Sequence, residues 1–69
     1  MKPKLFDTVK LLVSLPDESL PKGAIGAIIE EFSEPTEAYE VEFTDKDGRT
    51  ISQVTLRAEQ FVVVDNATS

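Results

Sequence analysis

Apolar and polar residues alternate through Tyr39-Glu40-Val41-Glu42-Phe43-Thr44. A period of two marks a strand with one face buried. Tyr39, Val41 and Phe43 are expected to face a core, with Glu40 and Glu42 in water. The next residues, Asp45-Lys46-Asp47-Gly48, place a glycine where a tight hairpin needs positive φ. The returning strand runs from about Arg49 to Leu56. Its apolar residues change parity between Ile51 and Val54, which predicts either a bulge near Ser52-Gln53 or an outward-pointing Ile51.

Two more strands precede this hairpin. Thr8 to Val13 sets Val9, Leu11 and Val13 on one face and Lys10 on the other. Ala24 to Phe32 is longer and carries Gly26, which permits a sharp bend or a close backbone approach. Between them, Ser14 to Gly23 holds Pro16 and Pro21 and shows no sustained period. It reads as a loop whose Leu15 and Leu20 fold back over one end of the core. Arg57-Ala58-Glu59-Gln60 suits a single 3₁₀ turn, and Phe61 to Val64 forms a last short strand. The predicted architecture is all-β: a small five-stranded SH3-like barrel with a short 3₁₀ turn before the last strand. It is one domain over residues 1–69, with its core in about 7–64 and a polar tail at 65–69 that is expected to fray.

Composition narrows the chemistry. A chain of 69 residues buries only about 60% of the surface its unfolded form exposes. With no cysteine and no histidine, it lacks disulfides, zinc thiolates and the commonest general base. Stability then rests on the core alone or on another chain. Thirteen acidic residues against seven basic ones give a net charge of −6, which opposes phosphate backbones and anionic membranes. The start, Met1-Lys2-Pro3-Lys4-Leu5-Phe6-Asp7, lacks the apolar run of a signal peptide. No stretch reaches the ~20 apolar residues that span a bilayer. A soluble, cytoplasmic protein is expected.

Leu5-Phe6-Asp7-Thr8-Val9, the Leu-Pro and Leu-Pro-Lys-Gly pieces of the Leu15–Gly23 loop, and the run from Gly23 to Glu30 together resemble the bacterial domain-of-unknown-function family 4926. Tyr39 to Phe43, the Asp47-Gly48-Arg49-Thr50 turn and the later Thr55-Leu56 carry the same resemblance. It covers residues 5 to 64. It implies a small barrel-like bacterial domain with no established activity, and brings no catalytic or binding residues with it.

No constellation of reactive residues emerges. Asp45-Lys46-Asp47-Gly48 looks superficially like the start of a calcium loop, but the twelfth position from Asp45 is Leu56 where a bidentate glutamate is required. Glu40 and Glu42 share a strand face roughly 7 Å apart, yet a barrel this small is filled by side chains and offers no cleft that would raise an acid's pKa. Ser14, Ser19, Ser33, Ser52 and Ser69 have no histidine partner and no nucleophile elbow. The expectation is a non-enzymatic protein with no cofactor and no metal.

Two features point outward instead. Glu30, Glu31, Glu34, Glu37, Glu40 and Glu42 fall in a stretch, Gly23 to Asp45, without lysine or arginine. Such a hairpin either docks a basic partner or simply guards a sheet edge from aggregation. The second feature is surplus apolar residues: Ile28 and Phe32 on one parity of their strand against Ile25, Ala27 and Ile29 on the other, with Leu12 and Phe6 beside the first strand. These form either a patch for a partner or the filling of a strongly bent strand. The candidate partner surface is therefore Phe6, Leu12, Ile28, Phe32 and the six glutamates. A protein–protein interaction module is expected, self-associating as a homodimer. An acidic partner-neutralising protein, antitoxin-like or mimicking nucleic acid, is the first alternative. A nucleic-acid-binding SH3-like module is the second, disfavoured because the seven bases are dispersed.

Overall fold

A computed structural model describes residues 2–64; the expected polar tail 65–69 lies outside the described residues. Five strands form one antiparallel sheet: β1 (Thr8–Leu11), β2 (Ile25–Phe32), β3 (Ala38–Thr44), β4 (Thr50–Leu56) and β5 (Phe61–Val63). Their spatial order is β4-β3-β2-β1-β5. A 3₁₀ turn at Ala58–Gln60 leads from β4 into β5, where the sequence places it. The strand count, order and closing turn follow the SH3-like pattern. Among the described residues, however, no ladder joins β4 to β5, so the sheet is open and its closure as a barrel is loose.

The sheet turns on β2. Its first residues pair with β1 (Val9↔Gly26, Lys10↔Ile25), while the rest of it pairs with β3, from Gly26↔Phe43 to Phe32↔Ala38. Gly26 therefore has a strand on each side. A Cβ built there would lie 2.8 Å from the Glu42 carbonyl oxygen, from Phe43 Cδ1 and from Val41 Cγ1, so only glycine fits. A register shift between Ile28 and Glu30 adds a bulge that curls the strand further.

The core is Val9, Leu11, Leu20, Ile28, Tyr39, Val41, Phe43, Leu56 and Phe61. Each fully buried aliphatic or phenylalanine side chain contributes roughly 1.5–3 kcal/mol. Tyr39, Val41 and Phe43 come from the alternating strand as expected, and Tyr39 packs edge-to-face on Phe61 at 5.6 Å. Leu20 is buried and Leu15 packs against the core, the two forming a one-pair bridge across the loop. A short 3₁₀ turn at Pro16–Glu18 closes that loop.

One expectation needs correction, and two open alternatives are decided. β1 ends at Leu11, not Val13: the Leu12 amide still donates to the Gln60 carbonyl in the β1–β5 register, but the Gln60 amide donates to the Arg57 carbonyl within the 3₁₀ turn, so no reciprocal rung forms, and Val13 is exposed. In β2 the parity of Gly26 and Ile28 faces inward. Ile28 is accordingly wholly buried while Ile25 and Phe32 are exposed, so the bend does not bring both parities inside. In β4 the pairs Phe43↔Ser52 and Thr44↔Thr50 skip Ile51. The irregularity sits at Ile51, next to the predicted Ser52-Gln53, and Ile51 points outward as the second alternative has it.

Candidate interaction surface

The β2–β3 hairpin carries the acidic residues. Glu30, Glu31, Glu34 and Glu37 are exposed, and Glu40 and Glu42 half-buried. Antiparallel register sets Glu30 directly opposite Glu40, a like-charge pair of the kind that destabilises a sheet. One cation and several neutral donors hold these carboxylates. Lys2 forms an ion pair with Glu37, and this hydrogen bond, with the attraction between the two charges, raises the Lys2 pKa above the ordinary 10.5. The Leu5 amide donates to Glu31 Oε2 at 2.8 Å. The hydroxyls of Thr55 and Thr50 donate to Glu40 and Glu42, each at 2.7 Å. Among the described residues, Glu30 and Glu34 receive no such bond.

Beside the hairpin, Lys2, Pro3, Lys4, Glu31, Phe32 and Tyr39 line a surface cleft of about 420 Å³. Charges of both signs surround it, so it has no single electrostatic preference.

The apolar candidates do not form one patch. Phe32, 39% exposed, lines the cleft. Phe6 and Leu12 lie at opposite ends of β1, and both are exposed. Ile28 belongs to the core and drops out of the candidate surface. Phe6 has φ 71°, a left-handed conformation rarely taken by a bulky residue. Its turn is held by the Asp7 amide donating to the Lys4 carbonyl, the Lys4 amide to Asp7 Oδ2, and the Phe6 amide to the Ile28 carbonyl.

Sequence reasoning missed a different apolar row. Ile25 and Val62 flank Lys10 through the pairs Lys10↔Ile25 and Lys10↔Val62, and both valine and isoleucine are exposed. Each is a strand residue of ordinary composition, and only the pairing of β1 with both β2 and β5 brings them side by side.

The acidic turn serves the hairpin. Asp45 Oδ1 accepts from the amides of Asp47 (2.8 Å) and Arg49 (3.0 Å), the Gly48 amide donates to the Asp45 carbonyl, and Gly48 adopts φ 84°. No group of three metal-ligating side chains occurs among the described residues. None of their helices is long and apolar enough to cross a membrane.

Compared with known proteins, residues 5–63 match a family model, that of the Domain of unknown function (DUF4926). No curated protein and no solved structure matches the chain.

Proposed function

We propose that this chain, which belongs to the DUF4926 family over residues 5–63, is a non-enzymatic docking module whose acidic β2–β3 hairpin engages a basic protein partner. The observation that carries this reading is the uncompensated charge of the hairpin. Glu30 faces Glu40 across the ladder, and Glu30 and Glu34 have no cation beside them among the described residues. Folding gains nothing from that arrangement, whereas a basic partner would relieve it and associate faster through the complementary field. The same field disfavours nucleic acid. A chain without cysteine suits such a role in the cytoplasm.

The test is capture from extract of the source cells by the wild-type chain and by a Glu30→Lys/Glu34→Lys variant, both first verified as folded by circular dichroism. A basic protein held by the wild type, lost from the variant and released by salt supports the reading. A partner held equally by both, or no basic partner, overturns it.

A second reading, self-association, is favoured by the exposed Ile25–Lys10–Val62 row. It requires a solution mass near twice the 7.6 kDa monomer, measured by sedimentation at micromolar concentration.

A further inference from the structure

Strand β4 closes one side of the sheet and pairs with β3 alone. Its outward N–H and C=O groups form no backbone bond to another element among the described residues. Proteins guard such edges with lysine, proline, inward charge or very short strands. The opposite edge, β5, is three residues long. β4 has seven residues, with no charge and no proline. Its inner face meets the core through Leu56 and half-buried Val54, while Ile51, Gln53 and Thr55 are exposed.

Each hydroxyl of this edge fixes a carboxylate from elsewhere in the chain. Thr55 and Thr50 hold Glu40 and Glu42 of β3. On the other face, Ser52 Oγ donates to Glu18 Oε1 of the first 3₁₀ turn at 2.5 Å. A hydroxyl orders a carboxylate without neutralising it, and the described ion pairs, Lys2–Glu37 and Arg57–Glu59, leave all three of these uncompensated. The edge is thus an uncharged strand flanked by three positioned negative charges.

Two strands could pair with it. A second copy of β4 would bring the same three carboxylates on a chain that itself carries −6, and the like charge of the two copies opposes their association. A strand with cations at alternate positions would turn them toward the face that holds Glu40 and Glu42 while its main chain completed the ladder. We infer that β4 is a strand-addition site for an extended, basic segment of a partner protein. The inference rests on the reading of this chain as a docking module for a basic partner, and supplies the geometry by which it binds.

The probe is a synthetic seven-residue peptide alternating lysine with valine, added to ¹⁵N-labelled protein. Amide shifts centred on Thr50–Leu56 are expected, with hydrogen exchange slowed about tenfold along β4. A Glu18→Gln/Glu40→Gln/Glu42→Gln variant, with wild-type secondary structure, should bind about tenfold more weakly. The same peptide N-methylated at alternate amides, and one alternating glutamate with valine, should not bind. Absence of shifts at millimolar peptide, or equal binding of the N-methylated peptide, overturns the inference. Shifts confined to Glu30–Glu37 overturn it as well, but leave the acidic hairpin as the docking surface. A dimer that pairs β4 with itself overturns the choice of occupant.

Discussion

Phe43 occupies the space that a side chain at position 26 would need. The two residues are paired across β2 and β3, and a Cβ on Gly26 would lie 2.8 Å from the Phe43 ring edge. The same atom would press on the Glu42 carbonyl, which is backbone and cannot rotate away. Gly26→Ala should therefore destabilise the fold by about 1–3 kcal/mol, the range for overpacking a filled core, despite alanine's lower backbone entropy cost. Urea denaturation followed by circular dichroism measures this directly. An unchanged midpoint would mean that β2 and β3 can separate at no cost, contrary to the packing described.

Local signals made much of the fold legible. Tyr39 to Thr44 alternates without interruption, so its inward face could be read before any pairing was known. The Asp45–Gly48 turn likewise depends on its own residues, through the Asp45 carboxylate and the positive φ of Gly48. What failed depended on distant partners. Val13 continues the parity of Val9 and Leu11, but the 3₁₀ turn takes the Gln60 amide for the Arg57 carbonyl and so ends the β1–β5 ladder before it. Ile25 and Ile28 are equally apolar, and only the pairing at Gly26 decides which is buried. The acidic hairpin was visible as a composition, whereas the hydroxyls that position Glu18, Glu40 and Glu42 required the register of β4 and the fold of the loop.

Glu30, set against Glu40, should be better replaced by a neutral residue as far as stability is concerned. They stand opposite one another in the ladder, and a like-charge cross-strand pair costs roughly 0.2–1 kcal/mol. Glu30→Thr removes one charge and adds a β-branched residue suited to a strand. Its denaturation midpoint should rise, and the gain should shrink as salt screens the pair. A lower midpoint at low salt would show that Glu30 makes a stabilising contact in the folded chain.

The ion pair of Lys2 with Glu37 has a definite alkaline signature. The Lys2 pKa is raised in the folded chain above the unfolded value of 10.5. Its contribution is therefore complete below 10.5 and lost as the pH climbs through the higher folded value. Both side chains are exposed, so solvent screening keeps the effect small. Stability curves for the wild type and Lys2→Met, taken from about pH 9 to about pH 12, should differ at the lower end and converge at the upper. Parallel curves would show that the pair adds nothing.

Phe6 gives the sharpest separation of stability from function. Its ring is 75% exposed and its φ is 71°, so the fold bears left-handed strain of about 1–2 kcal/mol for a side chain that buries little. Asparagine adopts this conformation more readily. Phe6→Asn keeps the three hydrogen bonds of the turn, two between backbone groups and one to the Asp7 carboxylate, because none of them involves the ring. It should raise stability by about 0.5–1 kcal/mol, a direction opposite to that of most substitutions. Thermal melting of the two proteins at matched concentration checks it. A lower melting temperature would place the Phe6 ring in a stabilising contact and make the residue structural. A higher one would leave an exposed aromatic that folding disfavours, available as an anchor for a partner.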